Sequence, residues 1–462
     1  MRKKIALMAA VSAAAVVLSA CGGGSTGGGS TGKTEETKAA SSENTETKAQ
    51  ETQSKLDPEK YAVKEPITIQ WWHAFEEQYT PIVEQIVSDF NSSQDLITVE
   101  PTYVGSYGEL NEAVVAANAA GSGLPAITIA NTPYTAEYSK NGLTEDLTPY
   151  IEADGWDIDD FGDGLIKASS YEGKQTTLPF LISTQVMFYN KDMAKEKGVT
   201  IPEKWSDMES FLTAASELNA DGTTGVYGTV IPGWDQWYFE TFYLNNGVKI
   251  INDDQKSTDL NGDAAKAITQ NIRDWSKKGY LYLAVGEDGS SQMRQNFIDK
   301  KAFSVLHTSS LYDTYVEKCD FEVGMAWFPG GDTKYSEIGG NVLLIPSKND
   351  QATKNAAWQF MKYLESKEVN MLWASKSGYM PTRKSVQETE EGVKFLEQKP
   401  EFKVIFDNLD LINPRIQHAG WNQLATIWKN YLAEIVIEDV DMDQKLDNMA
   451  QEIDEVLEDS GT

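Results

Sequence analysis

The chain has 462 residues, of which 40% are hydrophobic and 24% are charged, and its formal net charge at pH 7 is −30. This acidic balance argues against nucleic acid as a partner, because no basic stripe is available to meet phosphates. Two cysteines cannot build a disulfide framework or a cysteine-rich metal site. The length exceeds one ordinary hydrophobic core, so two lobes are expected in the folded part.

The first residues follow the pattern of a bacterial secretion signal, predicted over residues 1–21. A basic start at residues 2–4 precedes an apolar run over 5–18 that is too short to span a bilayer. The letters LSAC, ending at Cys21, resemble a lipobox, whose cysteine receives the lipid. An ordinary cleavage site with a chance cysteine is the alternative. We therefore predict a lipid anchor at Cys21, on the extracellular face of the cytoplasmic membrane of a Gram-positive bacterium.

Residues 22–64 are rich in Gly, Ser, Thr, Glu and Lys, with one aromatic side chain. Such a composition buries too little apolar surface to offset chain entropy. The segment is predicted to be a disordered tether between the anchor and the folded part.

The folded part opens with an alternation of strands and helices that predicts an α/β sheet. The predicted elements are strands at 67–72, 97–103 and 126–130 and helices at 79–90 and 109–120. Ligands of such sheets collect beyond the carboxyl ends of the strands. This rule places His73, Tyr107 and Asn131 near one another, although local packing of each loop residue is the alternative.

One long strand is predicted over residues 177–192, where Val, Ile, Phe, Tyr and Thr dominate. The polar triplet 183–185 interrupts its apolar run. Three polar side chains in a buried strand indicate a cleft-facing surface, and a strand with one solvated face is the alternative.

Two tryptophans, Trp234 and Trp237, stand one helical turn apart at the predicted start of a helix. Aromatic residues at helical spacing usually form core. Their position beside a glycine-marked loop favours instead at least one ring that stacks on a ligand. Farther along, a strand at 303–307 is followed by the hydroxyl residues 308–310, and a Gly-Gly pair at 339–340 suits a close approach of two backbones.

Two acidic loops, 157–163 and 259–263, contain metal-like ligand patterns, but both are interpreted as helix caps because the remaining ligands of a calcium loop are missing. No phosphate-binding loop, nucleophile elbow or HExxH motif is present in the sequence. We expect neither a cofactor nor a metal, and no enzymatic activity.

The letters LPFxxSTxxxFYNKD over 178–192, followed by IPEKWSD over 201–207, resemble the extracellular solute-binding proteins of ABC importers. The resemblance is to the branch that includes maltose-type and glycerol-3-phosphate-type binding proteins. It implies a two-lobed α/β fold, the type II periplasmic-binding-protein architecture, with a ligand cleft between lobes joined by hinge strands. The expected first lobe comprises residues 65–181 and 301–341, and the expected second lobe comprises 182–300 and 342–462.

Together, the loop chemistry and the resemblance assign ligand-binding roles to residues from both lobes. They are His73, Tyr107, Asn131, Ser183, Trp234, Trp237, Thr308, Ser309, Gly340, Asn341, Tyr379 and Trp421.

The ligand implied by the resemblance is a sugar or a glycerol phosphate. Where the glycerol-3-phosphate type carries a phosphate-facing arginine, the alignment gives Gln423, and Arg415 lies several residues earlier. Loss of that arginine favours a neutral carbohydrate, because a guanidinium is the best partner for phosphate. The chain is thus expected to be a monomer that delivers a mono- or oligosaccharide to the ABC permease. Glycerol-3-phosphate or a glycerophosphodiester is the alternative ligand, and a lipid-anchored hydrolase or an adhesion lipoprotein are more remote alternatives.

Overall fold

The structure is a computed structural model that describes residues 58–75, 79–286 and 288–460. The predicted signal, Cys21 and residues 22–57 of the predicted tether lie outside the described residues. The last part of that predicted tether is folded, since Tyr61 is buried and its ring lies 4.4 Å from that of Tyr150. Among the described residues, no helix is both long and apolar enough to cross a membrane.

Most strands of the described chain form one mixed sheet, in the order β10-β9-β11-β6-β13-β3-β1-β2, with β12 paired to β6 and β14 paired to β13. The strands are β1 Ile67–His73, β2 Ile97–Tyr103, β3 Ile127–Asn131, β4 Ser170–Tyr171, β5 Lys174–Gln175, β6 Leu178–Asn190, β7 Glu217–Leu218, β8 Thr224–Val226, β9 Thr229–Pro232, β10 Leu281–Ala284, β11 Ser304–Thr308, β12 Val323–Trp327, β13 Ser336–Leu344 and β14 Ile412–Asn413.

Helices cover the sheet, as expected for an α/β architecture. They are α1 Thr80–Ser93, α2 Tyr107–Ala120, α3 Tyr134–Lys140, α4 Thr148–Asp154, α5 Asp163–Ala168, α6 Lys191–Lys197, α7 Met208–Ala215, α8 Trp237–Asn245, α9 Asp263–Lys277, α10 Gly289–Ile298, α11 Tyr312–Lys318, α12 Gln351–Leu364, α13 Lys367–Lys376, α14 Glu390–Gln398, α15 Lys403–Phe406, α16 Trp421–Ile437 and α17 Met442–Ser460.

Strand β6 is the long strand predicted from its apolar run, and it connects the two halves of the sheet. Its first half pairs antiparallel with β13, which in turn pairs with β3. Its second half lies between β11 and β12 and is antiparallel to both. Every residue of β6 except Tyr189 is buried. The backbone of β6 therefore passes from one lobe into the other.

Separate hydrophobic cores define the two lobes. The first lobe is built on β1, β2 and β3 with α1 and α12, around Trp71, Ile129 and Phe360. The second lobe has a core of α7, α8, α9, α16 and α17, around Phe239 and Trp428. A third cluster around α10, α11 and α14 packs on the other side of β6.

The two lobes divide the chain differently from the expected boundaries. Strands β11 and β12 pair with the second half of β6, so this part of 301–341 lies in the second lobe. Residues 342–345 and α12 pack in the first core, although 342–462 was expected in the second lobe. The reason is that the chain returns to the first lobe along β13 rather than along β11.

Candidate ligand-binding cleft

A cavity of about 200 Å³ lies where β6 and β13 cross, and both lobes line it. Its walls are formed by Tyr107, Asn131, Thr132, Pro133, Ser183, Asp235, Trp237, Tyr238, Thr308, Ser310, Gly339, Gly340, Asn341, Tyr379 and Arg415. We refer to it below as the cleft. Most of the residues predicted to bind ligand lie in it: Tyr107, Asn131, Ser183, Trp237, Thr308, Gly340, Asn341 and Tyr379.

His73 does not line the cleft, contrary to the prediction. It is the last residue of β1, and its ring lies between those of Trp71 and Phe75, at 5.3 and 5.2 Å. Its Nδ1 accepts a hydrogen bond from the Phe75 N–H at 3.2 Å. Burial lowers the pKa of His73 to about 4, so the ring is neutral at physiological pH. His73 is thus a packing residue of the first core.

Three other predicted residues also lie outside the cleft lining. The ring of Trp234 packs edge-on against Tyr238, at 5.3 Å, one layer behind the wall. The hydroxyl of Ser309 is buried and accepts the backbone N–H of Thr184 at 3.1 Å. Trp421 is only 1% exposed and belongs to the second core. Trp234 and Ser309 thus support the cleft from behind, and Trp421 stabilises the C-terminal helices.

The polar side chains on the first-lobe side are placed by strand ends and a helix start. Asn131 ends β3 and lies opposite Asn341 in the register of β13. Tyr107 is the first residue of α2, whose start is fixed by a capping box between Ser106 and Glu109. Backbone geometry therefore fixes where these side chains enter the cleft.

The predicted polar triplet of β6 has divided roles. Ser183 lines the cleft. The Thr184 hydroxyl bonds to the Ser336 hydroxyl at 2.8 Å, and the Gln185 side chain donates to the carbonyl oxygen of Trp237 and accepts from the Thr241 hydroxyl. Two members of the triplet thus fasten β6 to β13 and α8, and the third, Ser183, faces the cleft.

Trp237 forms the aromatic wall on the second-lobe side. A Cβ on Gly339 would lie 2.7 Å from the indole and 2.8 Å from the hydroxyl of Ser183, so only glycine allows these two side chains to approach. Trp237 is 5% exposed, and its indole N–H has no acceptor among the described residues. The indole is therefore locked in place, with an unsatisfied donor.

Arg415 is a cleft residue that the sequence analysis did not place, because Gln423 was matched to the phosphate-facing arginine of the glycerol-3-phosphate type. It lies between β14 and α16, and its guanidinium carbon is 5.9 Å from the centroid of the Trp237 ring. With the Gln236 amide oxygen oriented toward it, an arginine N–H donates to Gln236 at 2.8 Å, and the Gln236 amide donates to Asp235 at 3.0 Å. Gln423 is exposed on α16 and lines a separate surface hollow.

Asp235, Tyr238 and Ser310 also line the cleft without having been predicted. Each of them is close in sequence to a predicted residue. The sequence therefore identified the chain segments that form the cleft, but not every side chain that points into it. A larger surface groove of about 620 Å³, bounded by Asp89 and Phe395, lies between α1, α13 and α14. The smaller cleft is the candidate ligand site, because both lobes and the crossing strands meet there.

One carboxylate of the acidic loop 157–163 is already paired with a cation. Asp160 pairs with Arg383, at 3.2 Å. Within the ranges that the structure describes, no group of His, Cys, Asp and Glu residues could hold a metal ion.

Comparison with known proteins agrees with this architecture. Residues 85–404 match the family model described as bacterial extracellular solute-binding protein. The chain is 26% identical over 348 residues to the sn-glycerol-3-phosphate-binding periplasmic protein UgpB of Yersinia pestis, covering 72% of this chain and 78% of that protein. Its UgpB counterpart in Escherichia coli K12 is 26% identical over 352 residues, with the same coverage.

Among solved structures, UgpB from Mycobacterium tuberculosis in complex with glycerophosphocholine has a TM-score of 0.73 at 20% identity, covering 86% of this chain and 100% of that one. The sugar-binding protein MalE from Xanthomonas citri has a TM-score of 0.74 at 19% identity, covering 85% and 98%. These likenesses establish the two-lobed fold. Proteins of the matched family are non-enzymatic transport components that act outside the cytoplasmic membrane. The chain belongs to the bacterial extracellular solute-binding proteins and is the substrate-binding component of an ABC importer.

Proposed function

We propose that the cleft binds a carbohydrate, which the protein delivers to its permease. The observation that carries this proposal is the state of Asn341, which lines the cleft and is 1% exposed. Neither its amide nitrogen nor its amide oxygen has a hydrogen-bond partner among the described residues. The indole N–H of Trp237 is a further unpaired donor, as noted above. A buried unpaired polar group costs about 1–3 kcal/mol, so a ligand that pairs these groups is stabilised.

Sugar hydroxyls suit this set because each one both donates and accepts a hydrogen bond. An amide requires a donor and an acceptor side by side, and neighbouring hydroxyls provide both. The hydroxyls of Ser183 and Thr308 and the carboxylate of Asp235 add further polar contacts around the cleft. The indole of Trp237 offers a flat surface to the C–H face of a sugar ring.

The size of the cleft supports a small ligand. Its volume of about 200 Å³ is below the roughly 300–1,000 Å³ typical of sites for drug-sized ligands. A monosaccharide fits this space better than an oligosaccharide does.

Glycerol-3-phosphate or a glycerophosphodiester is the second candidate, and Arg415 is the observation that favours it. A guanidinium in the cleft wall offers donors that match phosphate oxygens. However, the Nε of Arg415 lies 3.4 Å from a carboxylate oxygen of Glu240, and Asp235 is a second carboxylate at the cleft. Since the arginine charge is already balanced, we favour the neutral ligand.

The surface location is part of the proposal. The LSAC sequence ending at Cys21 supports a lipid anchor on the extracellular face of a Gram-positive membrane. We propose separately that the folded part acts as a monomer. Replacing Cys21 with Ala should release the protein from the membrane fraction. Unchanged membrane retention and lipid labelling of this variant would contradict the anchor.

A thermal-shift screen tests the ligand class. The panel contains glucose, galactose, maltose, sn-glycerol 3-phosphate and glycerophosphocholine. A sugar should raise the unfolding temperature in a concentration-dependent manner, because a ligand that binds only the folded state stabilises it by mass action. A shift with sn-glycerol 3-phosphate or glycerophosphocholine and with none of the sugars would establish the second candidate instead.

A further inference from the structure

A pair of buried carboxyl groups lies behind the wall of the cleft. Glu240 on α8 and Glu337 on β13 are both 0% exposed, and their carboxyl groups are neighbours. Within the described part of the chain, both carboxyl oxygens of Glu240 and Oε1 of Glu337 have no donor. Two ionised carboxylates cannot bond to each other, because each can only accept. A proton held by Glu337 lets it donate to Glu240 and removes the repulsion between two neighbouring buried charges.

Arg415 connects this pair to the cleft. Its side chain is 13% exposed, and its Nε lies 3.4 Å from Oε1 of Glu240, close enough for an ion pair. The same guanidinium lines the cleft and lies beside the ring of Trp237. One side of Arg415 thus faces the buried carboxyl pair, and the other faces the ligand space.

The groups around Glu337 favour its neutral form. Burial and the adjacent Glu240 raise the pKa of Glu337 well above its usual range, while Arg415 and a hydrogen bond from Thr241 oppose this shift. The Thr241 hydroxyl lies 3.5 Å from Oε2 of Glu337 and also donates to the Gln185 side chain. Gln185 is the uncharged polar residue that β6 places near the pair. Within the described residues, the charged groups that act on Glu337 are Glu240 from α8 and Arg415 from the segment before α16.

We propose that Glu337 holds a proton and shares it with Glu240 in a hydrogen bond, so that the two act as a positioning pair that holds the guanidinium of Arg415 at the cleft wall. The three side chains of Glu240, Glu337 and Arg415 then carry one positive and one negative charge, so their total charge is zero. The N–H groups of Arg415 that do not contact Glu240 stay available to a ligand. The inference rests on the proposed function only for the statement that the cleft binds a solute.

The shared proton is tested without ligand, by the unfolding temperature of the parent and of E337Q between pH 5 and pH 8. An unfolded glutamate loses its proton near pH 4.5, whereas Glu337 keeps its proton in the folded protein. The folded state therefore holds more protons, and the parent loses stability as the pH rises. Glutamine cannot titrate, so the advantage of E337Q over the parent should grow with pH. A difference that is constant with pH would overturn the shared proton.

The positioning of Arg415 is tested by a ligand-free double-mutant cycle of E240Q and R415M. Each single variant leaves a buried charge without its partner, and the double variant removes both charges. The loss of unfolding temperature in the double variant should therefore be clearly smaller than the sum of the single losses. The matched control pairs R415M with E365Q, which removes another fully buried carboxyl that lies outside the cleft lining, and this pair should be additive. Equal additivity in both cycles would overturn the positioning role.

Binding provides the third measurement, by calorimetry with glucose, maltose and sn-glycerol 3-phosphate as probes. For a probe that binds the parent, E337A should bind at least tenfold more weakly than E337Q, because only the amide keeps a neutral hydrogen-bonding partner for Glu240. Equal affinities of E337A and E337Q would contradict a role for Glu337 in placing Arg415. If no probe binds the parent, the proposed ligand class fails. The pH dependence of the unfolding temperature and the double-mutant cycle, which need no ligand, still test the roles of Glu240 and Glu337.

Discussion

Gly340 lies directly against Leu181 where β13 crosses β6. A Cβ on Gly340 would be 2.1 Å from the carbonyl oxygen of Leu181, and the two residues have φ angles of +100° and +51°. The register of the two strands shifts at this point, between Gly340 and Asn341. The two strands that cross between the lobes, β6 and β13, thus meet at one irregular, tightly packed position next to the cleft.

Replacing Gly340 with Ala should lower the free energy of unfolding by about 3 kcal/mol, because overpacking adds to an unfavourable φ. Urea unfolding measures the change. Gly142→Ala is the control, since Gly142 has φ +64° with no atom within 4 Å, and it should lose about 1 kcal/mol. Equal losses would show that the crossing is not tightly packed.

The two predicted tryptophans should behave differently, because only Trp237 lines the cleft. Trp237→Phe removes the unpaired N–H and part of the flat surface, so the affinity for a bound sugar should fall about tenfold, or about 1.4 kcal/mol. Trp234→Phe should change the affinity less than twofold. Isothermal titration calorimetry measures both, with unfolding temperatures recorded to detect damage to the fold. A larger loss of affinity in the Trp234 variant would contradict the assignment.

Lys140 joins the two lobes in the structure. Its Nζ, on α3 of the first lobe, donates to the carbonyl oxygen of Ser460 at the end of α17, at 2.7 Å. Loss of one such bond costs about 1 kcal/mol, so Lys140→Ala should weaken sugar binding about fivefold if closure and binding are coupled.

Lys348→Ala is the matched control, because Lys348 donates to the carbonyl oxygen of Asn118 at the same distance of 2.7 Å within the first lobe. Its sugar affinity should equal that of the parent. Small-angle scattering should show a smaller radius of gyration on ligand binding for the parent and the control. No change in the parent at saturation would contradict lobe closure.

Glu365 should make stability depend on pH. It is fully buried, and desolvation raises its pKa to about 8, despite a hydrogen bond from Thr382 and the nearby charge of Arg383. The folded state retains this proton above pH 4.5, where the unfolded chain has released it, so the stabilising contribution is lost as the pH rises toward 8.

The expected slope is about 1.4 kcal/mol per pH unit between these limits. Urea unfolding of the parent and of Glu365→Gln across pH 5–8 measures it, because the two proteins share every other titrating group. Parallel stability curves would show that Glu365 does not hold its proton.

The sequence predicted the alternation of strands and helices, the crossing strand β6 and most of the cleft residues, because periodicity and strand ends are local properties. It misplaced His73 because β1 continues through this residue instead of ending before it. Side chains alternate between the two faces of a strand, so the position of the strand end decides whether His73 faces the core or a ligand.

Arg415 was missed for a different reason. It lies in an irregular segment between a two-residue strand and a helix, where no periodic pattern indicates the direction of a side chain. The burial of Glu240 and Glu337 was equally invisible, because it arises from the packing of α8 against β13. Trp234 and Trp237 have helical spacing, but α8 begins at Trp237, so Trp234 precedes the helix and does not share its geometry.

The most direct test of the carbohydrate-binding cleft is a calorimetric competition experiment. The protein is titrated with the sugar found in the thermal-shift screen, in the absence and presence of a large excess of sn-glycerol 3-phosphate, and Asn341→Leu is titrated in parallel. We predict one saturable sugar site in the parent, little competition by sn-glycerol 3-phosphate, and loss of binding in the variant, whose side chain pairs with no hydroxyl. Full binding by Asn341→Leu, or saturation of the parent by sn-glycerol 3-phosphate and by no sugar, would contradict the proposal.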